Sequence, residues 1–508
     1  MKAARTMGRT SGIYVAGTLT AKGARFLLIP IYVHLLTSAE VGILIFVEAL
    51  VVALSRALSL GFGQAVKRFY VEFADERDAD EFAAALWWVG FFVALAIGSM
   101  LVVASLAFGH RLTAQIPAEY LAIAVVSGML RSNLGLALER FIVREEPVAH
   151  GVFNIGHFGL SAGLSIIFVV ALDLGVRGAL WGDLIAAAVF NLIVAVIISR
   201  GRWPRFQWPV LRKALAYSVP TVPHAMFTWG ITFADRLILE RFVTLSALAV
   251  YGIGYQFASL LPVFSVAFVN AWIPRFFRNA GSDDGADRYS RVFLSQVTAI
   301  IAIALPIVAF APEAIRLITT AEYAGSSAIT RMVAIGLIFH GVYQALLLPL
   351  FYRNRTGLVS TATGIALASN IALNLLLIPR IGIMGAAVAT VGAYLLTSIV
   401  VAALVARHYP IPVDYRRLAV IVTLAMVACL ASMSFDGQSL PVAIAAKLAM
   451  LGIFILPVAF VPGILTPGEG ALFRRFTGRG RRARPSVPVI PDIPVEPVPT
   501  DQLQEDRV

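Results

Sequence analysis

The sequence predicts an all-α polytopic membrane protein with about fourteen transmembrane helices. Only 14% of its 508 residues are charged, whereas a soluble domain carries about 25%. Apolar runs of about 20 residues recur along the whole chain, and a helix of that length crosses a bilayer. The strands of a transmembrane barrel would be about 10 residues long with alternating polarity. These runs therefore indicate helices, whose backbone groups are satisfied internally in lipid.

The predicted helices are spaced evenly along the chain. They cover residues 11–36, 42–67, 83–108, 119–140, 148–172, 177–199, 214–240, 247–273, 291–312, 326–352, 357–379, 382–406, 415–433 and 441–464. The first run lacks the short apolar core and small-residue cleavage site of a secretory signal, so we expect a retained helix. Cys429 is the single cysteine, which excludes an intrachain disulfide and a multi-cysteine metal site.

The distribution of positive charge predicts the orientation. A net charge of +12 would suggest nucleic-acid binding in a soluble protein. Here 29 of the 41 Lys and Arg fall in the termini, in alternate connecting segments or at the helix ends beside them, and 5 fall in or beside the other connections. The positive-inside rule assigns the rich segments to the cytoplasm. We therefore expect no nucleic-acid partner and a multi-pass protein of the bacterial inner membrane. Both termini are predicted to be cytoplasmic.

The two halves of the chain contain similar motifs in the same order. Ala24-Arg25-Phe26-Leu27-Leu28 parallels Asp235-Arg236-Leu237-Ile238-Leu239, and Gly175-Val176-Arg177-Gly178-Ala179 parallels Gly382-Ile383-Met384-Gly385-Ala386. Six helices per repeat place both repeats in one orientation, with a substrate site expected between them near the midplane. The predicted organisation is an N-lobe (1–199, helices 1–6), a cytoplasmic basic linker (200–213), a C-lobe (214–406, helices 7–12), helices 13–14 (407–465) and a cytoplasmic tail (466–508).

The tail is basic and then rich in proline. Its cations are Arg474, Arg475, Arg479, Arg481, Arg482 and Arg484. Such a cluster is expected to lie on anionic headgroups. The segment Pro485–Thr500 favours an extended conformation without a core, so we predict disorder. A docking role for a partner is the alternative.

Four cations lie near the middle of predicted helices in the first half of the chain. They are Lys22, Arg25, Arg56 and Arg131. Each costs about 2.5–3.5 kcal/mol at the centre of a membrane helix, so each is expected to face water, an anion or a partner. Arg236, nearer a helix end, is a weaker candidate of the same kind.

Acidic residues at the same depth are scarce in the sequence. Glu48, Asp183 and Asp235 lie toward the predicted outer ends of their helices and are candidates for ion coupling. The sequence therefore predicts a cationic cavity that receives an anionic substrate. The alternative is a set of structural ion pairs that uses Glu48, Asp183 and helix C-termini.

The chain resembles the Wzx-type oligosaccharide flippases of O-antigen and polysaccharide biosynthesis, in the multidrug/oligosaccharidyl-lipid/polysaccharide exporter superfamily. The resemblance covers most of residues 8–465. The motifs that carry it are Arg25-Phe26-Leu27-Leu28-Ile29-Pro30, Leu35-Leu36-Thr37-Ser38-Ala39-Glu40-Val41-Gly42, Ala234-Asp235-Arg236-Leu237-Ile238-Leu239, Tyr251-Gly252-Ile253-Gly254-Tyr255, Ala271-Trp272-Ile273-Pro274 and Ile378-Pro379-Arg380-Ile381-Gly382-Ile383-Met384-Gly385-Ala386-Ala387.

This resemblance implies two six-helix lobes plus two added helices, with alternating access. It implies a substrate of undecaprenyl-pyrophosphate-linked oligosaccharide, moved from the cytoplasmic to the outer leaflet for surface polysaccharide synthesis. It also implies that cavity cations hold the pyrophosphate, a role for which Lys22, Arg25, Arg56, Arg131 and Arg236 are the candidates. Arginine suits that role independently, because its planar guanidinium binds phosphate with two parallel hydrogen bonds.

Other functions remain open at this stage. A multidrug cation antiporter of the same superfamily would need central acidic residues. A glycan-assembly enzyme would need a sizeable outer loop, and a non-transporting component of a glycan-assembly complex would leave the central cations unexplained. No phosphate-binding loop, histidine-rich metal pattern or catalytic triad is recognisable, so we expect a non-enzyme without cofactor or metal. Its expected partners are the lipid-linked substrate, membrane lipids and the polymerases or glycosyltransferases of glycan assembly, with no requirement for an oligomer.

Overall fold

A computed structural model describes residues 26–73, 75–199, 206–353 and 355–460. Within these ranges every regular element is a helix. We number the segments α1 to α14 and divide broken ones into parts a and b. They are α1 (Leu28–Leu35), α2a (Ser38–Leu58), α2b (Phe62–Phe69), α3 (Glu76–Leu112), α4 (Ala118–Val143), α5 (Pro147–Ile166), α6 (Gly175–Ser199), α7a (Trp208–Ser218), α7b (Val222–Phe242), α8a (Leu245–Ala258), α8b (Leu260–Asn279), α9 (Gly285–Ala309), α10 (Ser326–Tyr352), α11 and α12 (together Thr356–His408), α13 (Tyr415–Met433) and α14 (Leu440–Phe460).

The stretch Thr356–His408 contains two antiparallel helices. Ile381 and Gly382 have non-helical backbone angles between them. A Cβ added at Gly385 would lie 2.6 Å from the carbonyl oxygen of Leu377, so the chain folds back on itself at this point. The predicted boundary between the eleventh and twelfth helices lies at the same place.

Eleven described helices are long and apolar enough to cross a membrane, and the stretch that contains α11 and α12 counts as one of them. Two further segments complete the predicted fourteen. The first is α1, whose predicted start lies outside the described residues. The other is α7b, which has 21 residues but carries Asp235, Arg236, Glu240 and Arg241. The protein is therefore an all-α, multi-pass membrane protein.

The two six-helix lobes repeat local details of the backbone. Thr37 caps α2a by accepting a hydrogen bond from the amide of Glu40, and Thr244 caps α8a by accepting one from Ala247. Gly175 and Gly382 stand at the starts of α6 and α12, with φ of 54° and 59°. Such left-handed backbone favours glycine because it has no Cβ. The sequence motifs that recur in the two lobes thus correspond to recurring helix caps and glycine turns in the structure.

We call the end of the bundle that joins α1 to α2a the outer end, and the opposite end the inner end. The segment between α9 and α10 lies at the outer end and holds a short helix, Ala311–Ile318. This connection at the outer end therefore has a folded element of its own. It buries Glu313 beside α14, as an ion pair with Lys447.

Helices α13 and α14 pack on the C-lobe. Their buried residues, such as Ile421 and Phe454, share one apolar core with Leu294 of α9 and Leu346 of α10. A second core lies inside the N-lobe between α2b, α3, α4 and α6. A third core joins the two lobes, because Val47 and Val51 of α2a pack with residues of α7b, α8a and α10. The site between the lobes is therefore bounded by α2, α7 and α8.

Candidate functional site

The two lobes touch closely at the outer end, between α2a and α8a. The hydroxyls of Ser38 and Ser246 lie 2.9 Å apart. A Cβ on Gly42 would overlap the backbone carbonyl of Leu245, and a Cβ on Gly252 would overlap the side chain of Ile45. Small residues allow this approach, as is usual where membrane helices cross.

A second contact closes the outer end between the α3–α4 connection and the end of α7b. The amide of Gln115 donates to Glu240 Oε1 at 2.6 Å, and its side chain donates to the carbonyls of Glu240 and Val243. Arg241 donates to the carbonyl of Leu112 at 2.5 Å. Glu240 is buried, so this connection between the lobes excludes water from a carboxylate.

The face of α2a that meets the C-lobe continues toward the inner end. Trp229 of α7b donates its indole N–H to the carbonyl of Ala49 at 3.0 Å. Seven residues further along the same helical face comes Arg56, which is exposed. Contact with helix α7 resumes at Gly61, where an added Cβ would lie 2.5 Å from the carbonyl of Ser218. Arg56 therefore lies between two points of contact with the C-lobe, on the side that faces it.

At the inner end, α7a packs on α2b of the N-lobe. Lys213 Nζ lies 2.9 Å from Glu72 and 4.7 Å from the ring centre of Phe69, which also meets the ring of Tyr217. The hydrogen bond from Lys213 holds the pKa of Glu72 below its ordinary value. The break between α7a and α7b includes Pro220, whose ring removes a backbone donor. The break thus separates α7a, which packs on α2b, from α7b, which runs along the contact between the lobes.

Inside the N-lobe, Arg131 of α4 binds two carboxylates. Its Nη1 lies 3.0 Å from both carboxylate oxygens of Glu48 on α2a, and its Nη2 lies 2.5 Å from Asp183 Oδ1 on α6. Ser161 of α5 donates to the same oxygen of Asp183 at 3.2 Å. The side chain of Arg131 is 16% exposed, and that of Glu48 is 39% exposed. The cluster therefore opens to its surroundings through Glu48.

This geometry corrects the expectation that the central cations lack acidic neighbours. Glu48 and Asp183 contact Arg131 although their predicted depths in the membrane differ from its own. The packing of helices α2a, α4 and α6 brings the three residues together. The two carboxylates balance the positive charge of this guanidinium, which is the arrangement that the alternative of structural ion pairs predicted. Arg131 remains a candidate for the substrate, but only in exchange for one of these partners.

Arg236 of α7b is buried and does not line an open space. It lies 2.7 Å from Asp235 Oδ1, and its guanidinium lies 4.3 Å from the ring centre of Tyr255. Asp235 also accepts a hydrogen bond from the hydroxyl of Tyr251. Both charged side chains are at most 5% exposed. Arg236 therefore faces its counter-ion Asp235 and aromatic rings in this conformation, and its predicted role in a cavity stays a prediction.

The remaining predicted cations, Lys22 and Arg25, lie outside the described residues, as do the linker residues 200–205 and the tail after Phe460. The nearest described residue of the first helix is Phe26, whose ring centre lies 4.6 Å from that of Phe257 on α8a. The start of α1 therefore also borders the C-lobe.

The family of the chain follows from its sequence. A family model described as "Polysaccharide biosynthesis protein" matches residues 7–280, which is more than half of the chain. The chain belongs to this family. The family match confirms the resemblance given by the motifs. The chain is also 24% identical over 302 residues to the probable low-salt glycan biosynthesis flippase Agl15 of Haloferax volcanii. That alignment covers 59% of this chain and 60% of the relative.

Solved structures of transporters share the fold of this polysaccharide biosynthesis family member. The lipid II flippase MurJ, in an inward closed conformation, superposes with a TM-score of 0.63 and 15% identity, over 89% of this chain and 100% of that chain. A point mutant of the Vibrio cholerae MATE transporter VcmN gives 0.52 and 17%, over 80% and 98%. At this identity the likeness concerns the fold alone.

Sequence reasoning missed the residues that close the outer end. Gln115 is an ordinary polar residue in a connecting segment and Ser246 is one in the first turn of α8a, and neither has a signal in the sequence. Glu240 did carry a signal in the sequence, because an acidic residue at the end of a membrane helix needs a hydrogen-bond donor. Gly42 and Gly252 lie five and eight residues after the capping threonines of their helices, and glycine inside a membrane helix is a sign of close approach.

Proposed function

We propose that the protein is a flippase that moves an undecaprenyl-pyrophosphate-linked oligosaccharide from the cytoplasmic to the outer leaflet by alternating access. The outer end of the bundle would face away from the cytoplasm, as the positive-inside rule predicts, and the membrane would be the bacterial inner membrane. Family membership and the transporter fold support this assignment. The proposal gives the protein a transport role in polysaccharide biosynthesis, without a catalytic step or cofactor.

The observation that carries the proposal is the exposed position of Arg56 between the lobes. The outer ends of α2a and α8a are in close contact, whereas the same face of α2a leaves Arg56 exposed nearer the inner end. An exposed guanidinium at this place suits a pyrophosphate that enters from the cytoplasmic leaflet, because each phosphate accepts two parallel hydrogen bonds from arginine. The lipid tail can stay in the bilayer during this step.

The N-lobe cluster supplies a second binding step. A pyrophosphate that reaches Arg131 competes with Glu48 and Asp183, which hold both terminal nitrogens of the guanidinium. A carboxylate displaced from Arg131 would then bind a cation or a proton. Substrate binding and ion binding would thus be coupled through this one arginine. Lys22 and Arg25 would add to the same cationic face, since they are three residues apart in one predicted helix. Asp235, bound to Arg236, is the candidate coupling carboxylate in the C-lobe.

The test is transport by the purified full chain in proteoliposomes. The probe is undecaprenyl-pyrophosphate-linked oligosaccharide, detected by a lectin that reaches one leaflet only. Arg56→Gln should lower transport by about tenfold to a hundredfold, because a charge-assisted hydrogen bond contributes about 1.5–3 kcal/mol. Arg177→Gln is the control, since that exposed arginine pairs with Glu119 within the N-lobe. Equal transport by wild type and Arg56→Gln would contradict the proposal.

A multidrug cation antiporter is the second candidate, because one observation favours it. Glu48 and Asp183 form a pair of carboxylates in the N-lobe, which suits an organic cation better than an anion. The same vesicles distinguish the two functions. Transport of ethidium that Glu48→Gln abolishes, without transport of the lipid-linked oligosaccharide, would assign the protein to the antiporters.

A further inference from the structure

A cleft at the inner end of the N-lobe lies apart from the site between the lobes. It occupies about 350 Å³ between the start of α3 and the start of α7a. Phe73, Phe82, Phe206 and Leu211 line its apolar part, and Asp78 and Glu81 stand at its rim. The two acids are three residues apart on α3, so they share one helical face.

The rim belongs to the most acidic stretch of the chain. Residues 72–81 read Glu-Phe-Ala-Asp-Glu-Arg-Asp-Ala-Asp-Glu, with Arg77 as the one cation. Three of the six acids have close partners, and Glu76 lies 3.6 Å from Arg144. Asp80 binds Arg140 and Arg144, Glu72 binds Lys213, and Asp75 caps α3.

Two carboxylates of this stretch retain capacity for a further cation. Glu81 lies 3.6 Å from Arg77, which is long for an ion pair. Asp78 is exposed and makes no ion pair with any described residue. An anionic rim above a wall of phenylalanine suits arginine in particular, because a guanidinium can stack on an aromatic ring while it binds a carboxylate. Such a cleft is expected to hold an arginine-rich segment.

We propose that the arginine cluster of the chain's own C-terminal tail, Arg474 to Arg484, docks in this cleft. The tail holds six arginines within eleven residues and no acid among them, which complements the acidic rim. It follows α14, whose end Phe460 lies at the inner end of the bundle, as the cleft does. The 24 residues from Phe460 to Arg484 span up to roughly 80 Å when extended. A compact chain of this size has a radius of gyration of about 23 Å, so the tail can reach the cleft.

Docking would connect the C-lobe to the N-lobe at the inner end. The tail begins at α14, which packs on α9 and α10, whereas the cleft is formed by α3 and by α7a, which packs on α2b. A bound tail therefore restrains the separation of the lobes that alternating access requires. Several weak arginine contacts on one chain act together, since the first contact raises the local concentration of the others.

The experiment uses photo-crosslinking of the full chain. The photoreactive residue p-benzoylphenylalanine replaces Ala85, which lines the cleft on α3. The protein is irradiated in nanodiscs that contain phosphatidylethanolamine and phosphatidylglycerol, and the adducts are mapped by mass spectrometry. The expected adduct is a peptide from residues 474–484, within a product of monomer size. The adduct should be lost in Asp78→Asn/Glu81→Gln and at high salt.

The matched control is Asp283→Asn/Asp287→Asn, which removes two exposed acids, one in the α8–α9 connection and one in the first turn of α9, at the same end of the bundle. This control should keep the adduct at its original yield. Adducts with lipid, with the linker 200–205, with a second copy or with another protein would each overturn the proposal, as would the absence of any adduct. Because Asp78 is exposed, its substitution leaves the fold intact, and an unchanged thermal midpoint checks that point.

Discussion

Arg131 of α4 and Asp183 of α6 lie 2.5 Å apart, between Nη2 and Oδ1, within the N-lobe. Glu48 of α2a binds the other terminal nitrogen of the same guanidinium. Three helices of one lobe therefore meet at one arginine. An ion pair of low exposure costs desolvation energy that the contact only partly returns, so the fold retains this cluster at little or no net gain.

The first prediction separates the structural role of this cluster from a role in transport. Arg131→Ala leaves two carboxylates without their cation and should destabilise the protein by about 3–5 kcal/mol. The triple variant Arg131→Met/Glu48→Gln/Asp183→Asn removes all the charges together and should recover most of the stability, measured as the thermal midpoint. Transport of the lipid-linked oligosaccharide should stay absent in both variants. Recovery of transport in the triple variant would show that the cluster is structural only.

The second prediction concerns the close approach of α2a and α8a. Gly42→Ala introduces a Cβ that overlaps the carbonyl of Leu245, so the outer ends of the lobes must separate. In a Cys429→Ser background, a cysteine introduced by Ser246→Cys should then react faster with a membrane-impermeant maleimide added from the outer side. Gly159→Ala is the control, because its Cβ would meet no atom within 4 Å. An unchanged reaction rate in Gly42→Ala would rule out closure by this contact.

The third prediction concerns the hydrogen bonds of Gln115. Gln115→Ala removes the side-chain donors to the carbonyls of Glu240 and Val243. Distances between spin labels at Ala114 and Thr244 should shift to longer values, as the outer end spends more time open. Gln438→Ala, an exposed glutamine of the α13–α14 connection, should leave the distances unchanged. A shift in the control alone, or in neither, would place the closure elsewhere.

The fourth prediction is a pH dependence at the inner end. The pKa of Glu72 is lowered by Lys213, so their contact contributes stability above the ordinary value of 4.5. That contribution is lost as pH falls from this value through the lowered pKa of Glu72. A spin label at Arg212 on α7a should therefore become more mobile in this acidic range. In Glu72→Gln the label should be mobile at neutral pH as well. If neither acidic pH nor Glu72→Gln altered the mobility of the label, the assignment would be contradicted.

The helices were predictable from the sequence because each one had to be apolar along about 20 residues. The breaks in α2 and α7 were less predictable. Gly61 adopts φ of 68° where Ser218 approaches, and a left-handed glycine has no distinct signature inside a long apolar run. The hairpin of α11 and α12 was found correctly, since the Pro379 to Gly385 segment repeats the turn before α6.

Ion pairing was the part that the sequence could not provide. The position of a residue along its own helix does not determine which residues of a neighbouring helix lie beside it, because that helix can be shifted or tilted. Glu48 therefore reached Arg131, although their predicted depths differed. Asp235 was an adjacent partner for Arg236, but only packing against Tyr251 and Tyr255 shows that both charges are buried.

The last prediction concerns Lys447, whose buried ammonium holds α14 to the C-lobe. Its Nζ lies 2.8 Å from both carboxylate oxygens of Glu313 and 2.7 Å from Asp436 Oδ1. Lys447→Met strands the buried Glu313 and should lower the free energy of unfolding by about 3–5 kcal/mol. Adding Glu313→Gln should restore part of this loss, because a neutral amide costs less to bury than a carboxylate.

An exposed ion pair provides the comparison. Arg288 pairs with Asp284 at 2.6 Å near the start of α9, with both side chains about half exposed. Arg288→Met should change the stability by about 1 kcal/mol or less, since surface ion pairs contribute little. Thermal midpoints of the three variants in one detergent measure the difference. Equal midpoints for Lys447→Met and Arg288→Met would mean that α14 is held by its apolar contacts alone, and that Lys447 contributes no more than a surface charge.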